Sequence, residues 1–189
     1  MLYERKNETQ MRYPNVGPRV TRVIFNNMTE YFHITDQPLD PAPLVALVQA
    51  PDMGAVVTFA GIVRDNFGGR ATAYLEYEAY ESMAVVVLRS LAAEARATWG
   101  TGMIAIHHRI GRLEIGEIAV LIVVAAAHRH EAFEATEWLM DRIKEVAPIW
   151  KKEIWADGAS EWVGNEVERK AELDATRTSG VDQDDKLTR

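Results

Sequence analysis

Three observations predict an α+β fold for this 189-residue chain. Two stretches, 81–99 and 131–146, carry the long apolar periodicity of helices. Several shorter stretches, rich in β-branched and aromatic residues, are bounded by Gly, Pro or Asn and read as strands. The two kinds mix without the regular strand–helix alternation of a doubly wound parallel sheet. Apolar residues make up 48% of the chain, enough for a core.

The elements follow in order. Pro41, Pro43 and Pro51 bracket a short helix over Leu44–Gln49. The run Gly54-Ala-Val-Val-Thr-Phe-Ala-Gly-Ile-Val63 is a strand, and Arg64-Asp-Asn-Phe-Gly-Gly-Arg70 has the composition of a turn that forms a lip over a site. Ala71–Tyr80 alternates as a second strand, and the helix Glu81–Trp99 stops at Gly100. Met103–Ile110 is a strand and Gly111–Glu117 holds a turn. The continuous apolar run from Ile118 predicts the most buried strand, and at ten residues, to Ala127, it is too short to span a bilayer. A helix over Glu131–Val146 is stopped by Pro148. Ile149–Trp155 and Glu161–Val163 pair as a hairpin across Asp157-Gly158. Residues 1–27 read as a flexible extension, 28–164 as the single domain, and 165–189 as a polar, flexible tail.

A net charge of −7 with both signs interspersed argues against a nucleic-acid-binding face. The N-terminus lacks an apolar signal core, so the expectation is a cytoplasmic chain with no membrane association. With no cysteine, the chain has no disulfide, thiolate metal site or cysteine nucleophile. His107 and His108 are neighbours on a strand and face opposite ways, without a carboxylate at ligand spacing, so no metal is expected. Neither a phosphate-loop motif nor a dinucleotide fingerprint occurs, and no cofactor is expected.

Four places can carry chemistry. At Ala127-His128-Arg129-His130-Glu131 a buried strand meets a helix N-terminus, a position that suits a bound anion. The alternative is that His128 caps the helix and Arg129 is solvated. On the helical wheel Ala132, Phe133, Thr136, Leu139, Met140, Ile143 and Ala147 form the apolar face, with Lys144 at its edge. A lysine there is partly desolvated and a candidate nucleophile, or else it snorkels to water. In Pro148-Ile-Trp-Lys-Lys-Glu153, Lys151 and Lys152 lie on an extended segment and face opposite ways, so at most one joins Lys144; the alternative is a solvated charge run. Ile62-Val63-Arg64 ends a strand at the glycine-containing loop, as a site edge or as an ordinary turn.

Together these segments resemble the catalytic (large) subunits of molybdopterin synthase, the MoaE family. The resemblance is carried by Gly54-Ala-Val-Val-Thr-Phe-Ala-Gly-Ile-Val-Arg64, Leu75-Glu-Tyr-Glu-Ala-Tyr80, His108-Arg-Ile-Gly111, Ala127-His-Arg129 and Lys144-Glu-Val-Ala-Pro-Ile-Trp-Lys-Lys-Glu153, and it covers about residues 50–163. It implies a hammerhead-type α/β fold and a central homodimer, with a small ubiquitin-like subunit docked at each end of a heterotetramer. The carrier's C-terminal Gly-Gly tail, as a thiocarboxylate, would deliver sulfur to cyclic pyranopterin monophosphate, giving the molybdopterin dithiolene. The resemblance assigns catalysis to Lys144 and Lys151. It assigns substrate contact to Ile62–Arg64, His128, Arg129, Lys144 and Lys151–Glu153, which includes Lys152, and pocket lining to Phe59 and Met140. It also implies a basic residue after Val163 that reaches the neighbouring subunit. Here Gly-Asn-Glu-Val-Glu-Arg169 follows, leaving Arg169 or Lys170 as candidates. Trp138, Trp150, Trp155 and Trp162, placed in or near surface segments, support the dimer. Two rival functions are a lysine-dependent Schiff-base lyase on a phosphorylated carbonyl compound and a non-catalytic docking scaffold for a ubiquitin-like protein.

Overall fold

The computed structural model describes residues 28–163. The proposed tails, Arg169 and Lys170 lie outside the described residues. In chain order the elements are α1 (Met28–Tyr31), β1 (Phe32–Thr35), α2 (Pro41–Val48), β2 (Ala55–Ile62), β3 (Asn66–Phe67), β4 (Arg70–Ala79), α3 (Glu81–Trp99), β5 (Ile104–Arg109), β6 (Gly111–Glu114), β7 (Ile118–Ala126), α4 (Arg129–Val146), β8 (Ile149–Trp155) and β9 (Ser160–Val163).

Among the described residues these elements build two sheets. The first has the order β1-β5-β7-β2. Only its β1–β5 pair is parallel. In the second, β4 pairs β8, β8 pairs β9, and β3 and β6 also pair β4, all antiparallel. The architecture is α+β, as the mixed pattern predicts. No helix among the described residues is long and apolar enough to cross a membrane.

Burial explains the unbroken apolar run of β7. Val120, Ile122 and Val124 pack under α3 and α4 against Leu88, Leu91, Leu139 and Ile143. Leu121, Val123 and Ala125 face the other way, onto Leu44 and Val48 of α2. A strand covered on both faces has no need of polar alternation. A smaller cluster of Val63, Leu75, Leu113 and Ala119 joins the second sheet to this core.

Several boundaries differ from the sequence reading for local reasons. Pro41 and Pro43 lie inside the first turn of α2, because the Asp40 side chain accepts a hydrogen bond from the Ala42 N–H and starts the helix there. Residues 111–114, read as a turn, pair with β4 as β6. Helix α4 begins at Arg129 rather than Glu131, with His128 at the N-cap making no side-chain capping bond. On that helix Phe133 is 60% exposed and Ala135 is buried instead, so the apolar stripe is rotated from the wheel assignment.

Gly54 immediately precedes β2, where its backbone passes close to the chain leaving β7. A Cβ built on it would stand 2.6 Å from the Ala127 carbonyl oxygen. Backbone cannot swing aside as a flexible side chain can. Gly54→Ala is expected to lower stability by about 1–3 kcal/mol, the usual cost of overpacking, read as a lower urea midpoint at unchanged slope. An unchanged midpoint would show that the strand ends are free to separate.

Candidate active site

The helix α4 and the strands β2, β4, β5, β7 and β8 converge on one pocket of about 470 Å³. Helix α4 contributes Met140, Ile143 and Lys144 from its last two turns; β8 contributes Ile149, Lys151 and Glu153. Pro148 and the extended Ala147 terminate the helix and turn the chain back at once, which brings the two lysines to one cavity. Phe59, Gly61, Ile62 and Arg64 close the β2 side, and Asn66 and Phe67 come from the hairpin before β4. That hairpin is tight because Gly68 and Gly69 both take positive φ, 58° and 82°.

Strand alternation sorts β8. Lys151 and Glu153 face the pocket, with Lys151 Nζ 3.6 Å from Glu153 Oε2 and 5.0 Å above the centre of the Phe67 ring. Lys152 points to the other face, where its Nζ lies 3.6 Å from Glu76 Oε2 and 5.7 Å from the Trp162 ring centre. Glu153 is only 3% exposed and also accepts a hydrogen bond from the Thr72 hydroxyl. The buried carboxyl group, held by Lys151 and the Thr72 hydroxyl, shares the cavity with the cationic side chains Arg64, Lys144 and Lys151.

The floor contains two groups that the sequence reading left out of the site, Tyr77 and His108, whose rings meet edge to face at 5.1 Å. Burial, assisted by the Glu153 carboxylate, pushes the Tyr77 phenol up to about 12. Burial pulls His108 down to about 4, against a hydrogen bond to the Arg109 carbonyl. The available signal was period 2 in β4: if Leu75 faces in, so does Tyr77.

Seven of the expected site residues are therefore brought together: Phe59, Ile62, Arg64, Met140, Lys144, Lys151 and Glu153. Four are placed elsewhere. Val63 is buried below the pocket in the cluster with Leu75 and Leu113. Lys152 is on the opposite face of β8. His128 and Arg129 are exposed at the start of α4. Fifteen residues of helix separate Arg129 from Lys144, about 22 Å at the helical rise. Lys144 itself is exposed at the mouth of the pocket rather than half-desolvated. Of the tryptophans, Trp150 and Trp162 are exposed as expected, at 52% and 49%, whereas Trp155 is buried and Trp138 packs partly against the core.

A helix end and a strand thus bring two lysines and a buried carboxylate to one cavity. The chain belongs to the MoaE protein family, whose model matches residues 34–146. Among its relatives is the molybdopterin synthase catalytic subunit of Bacillus subtilis, 46% identical over 142 residues, covering 75% of this chain and 90% of that one. The catalytic subunit from Nostoc is 46% identical over 133 residues, covering 70% and 81%. The crystal structure of molybdopterin synthase from Staphylococcus aureus is 45% identical with a TM-score of 0.68, over 71% of this chain and 97% of that chain. A complex of subunits 1 and 2 of molybdopterin-converting factor from Helicobacter pylori is 25% identical with a TM-score of 0.57, over 69% and 88%. The function of the chain is that of a molybdopterin synthase catalytic subunit, an enzyme activity of molybdenum cofactor biosynthesis.

Proposed function

We propose that the pocket transfers sulfur from the thiocarboxylated Gly-Gly terminus of a small ubiquitin-like carrier to cyclic pyranopterin monophosphate, forming the dithiolene. The observation that carries this reading is the convergence of Lys144 and Lys151 in one cavity with Arg64 and the buried Glu153. The cations suit both a phosphate ester and an incoming thiocarboxylate. Lys144, at the mouth, meets the carrier tail as it enters; it serves either as the proton donor and acceptor as oxygen leaves and sulfur adds, or as the amine that attacks the carrier's acyl carbon, forming an amide as the C–S bond breaks and hydrosulfide, carrying the amine's proton, passes to the pterin. Lys151, held by Glu153, lies deeper. The chain has no cysteine on which to carry the sulfur, so the sulfur arrives on the partner. The Helicobacter pylori structure, a two-subunit complex, supports such a partner. The direct test mixes the chain with thiocarboxylated carrier and the cyclic pterin phosphate and looks for the dithiolene; turnover of substrate without carrier would favour the lyase, and carrier binding without turnover the scaffold.

The same reading gives His128 and Arg129 a role only through a second copy, because one chain holds them about 22 Å of helix away from Lys144. In a homodimer, the exposed start of α4 of one copy would serve the pocket of the other. Arg64→Ala and Arg129→Ala are each expected to weaken binding of the pterin phosphate by about 1.5–3 kcal/mol, the worth of a charge-assisted hydrogen bond. Calorimetric titration of each variant reads the loss. Loss in Arg64→Ala alone, together with a monomer in sedimentation, would remove the second copy from the site.

A further inference from the structure

Tyr77 and His108 line the inner part of the pocket, below Lys144 at its mouth. Tyr77 lies opposite Gly111 on β6 and Lys151 on β8. A glycine on one flank leaves its ring room, and the His108 ring braces it at 5.1 Å and 67°. The His108 ring is fixed in turn: its Nδ1 lies 2.8 Å from the Arg109 carbonyl oxygen. A carbonyl only accepts, so Nδ1 carries the proton. With the ring uncharged at neutral pH, Nε2 is left with a lone pair. Nε2 has no hydrogen-bond partner among the described residues, and neither has the Tyr77 hydroxyl. Both residues nevertheless line the cavity. The hydroxyl donor and the imine acceptor both open onto the cavity, where a ligand can take the place of water and meet them.

We propose that Tyr77 and His108 form a donor–acceptor subsite that reads the nitrogen-rich edge of a fused heterocycle. This rests on the reading of the pocket as the pterin phosphate site. The hydroxyl donates to a ring carbonyl or ring nitrogen, and Nε2 accepts from a neighbouring ring N–H. A pterin offers that alternation in a flat ring edge, whereas the cyclic phosphate diester offers acceptors alone. The division of labour is chemical: Arg64, Lys144 and Lys151 recognise charge, and the floor recognises the ring. A site built to hydrogen-bond a ligand rejects analogues that lack the matching groups far more strongly than an apolar slot does.

The test titrates the full chain with two ligands, cyclic pyranopterin monophosphate and inorganic phosphate. Tyr77→Phe keeps the ring and its contact with His108 and removes only the hydroxyl. It should weaken the pterin ester about tenfold and leave inorganic phosphate unchanged. His108→Phe should do the same; if it fails to fold, Tyr77→Phe carries the comparison alone. A pterin analogue methylated at the ring N–H that meets Nε2 should bind the wild type about tenfold more weakly than the parent pterin and bind His108→Phe no worse than the parent does, a coupling that a structural role would not produce. Wild-type affinity for the pterin ester in Tyr77→Phe would overturn the subsite, as would equal loss for both ligands. A wild-type chain that binds phosphate but not the pterin ester would instead overturn the reading of the pocket on which the subsite rests.

Discussion

Lys144→Ala should reduce dithiolene formation by roughly 10²–10⁴-fold or more, the range expected when a positioned proton donor or nucleophile is lost, and leave the fold intact. Its neighbour on the helix, Ile143, is buried in the main core, but Lys144 is exposed at the pocket mouth. Truncating an exposed helical lysine changes stability by only about ±0.5 kcal/mol. The fold and the chemistry therefore separate cleanly at this position. Single-turnover assays with thiocarboxylated carrier, run beside a urea melt, make the comparison. A rate within about tenfold of wild type, ~1.4 kcal/mol in the barrier, would remove Lys144 from the chemistry. Lys151→Ala should also be severely impaired, for a different reason: it strips Glu153 of the cation 3.6 Å away and leaves a buried carboxylate with only Thr72.

An equally large effect is expected from the partner. With no cysteine, the chain cannot hold transferable sulfur as a persulfide. Turnover with the chain, substrate and free sulfide should be nil and should appear on adding thiocarboxylated carrier. A Gly-Gly tail suits the entry, since it carries no side chains past Ile62 and Lys144, and its negative terminus is drawn to a cationic mouth in a chain that is acidic overall, at −7. Removing the carrier's last two glycines should abolish product even where the folded domains still associate. Equal single-turnover yield from intact and truncated carriers would mean that sulfur reaches the pterin by another route.

Much of this architecture is legible in the residues, and the exceptions have physical causes. Helix α3 runs over 81–99 as its pattern predicts, because Gly100 takes φ 61° and ends it. The strands β7 and β8 begin and end close to where they were read, one marked by continuous apolarity and the other by Pro148 and Asp157-Gly158. The short strand β6 was hidden because four residues between glycines resemble a turn until β4 is there to pair with them. Strand β1 and helix α1, at four residues each, carry too little periodicity to stand out.

The site shows the same division. Alternation separated Lys151 from Lys152 correctly, because a strand's two faces are a local property. The helical wheel placed Lys144 at the edge of the apolar stripe, where it meets the pocket. The resemblance groups Arg129 with a lysine fifteen residues further along the same helix, and only the three-dimensional course of α4 separates them. Tyr77 and His108 needed knowledge of which strands become neighbours. They come from β4 and β5, which belong to different sheets.

The alternation in β8 also makes the active site a matter of parity. A slip of one residue in that strand would still present a lysine, Lys152, to the cavity, but Ile154 would stand where the carboxylate of Glu153 now lies. The wall would keep its cation and lose the counterion that holds it. The irregularity between Thr72 and Tyr74, where β4 and β8 pair, pins this register. The number of residues between Pro148 and Glu153 thus sets the lining of the candidate site as much as their side chains do. Length changes should be tolerated in the turn before β9 and excluded from this segment, and in comparing members of the family the position of a lysine carries less meaning than its odd or even place along the strand.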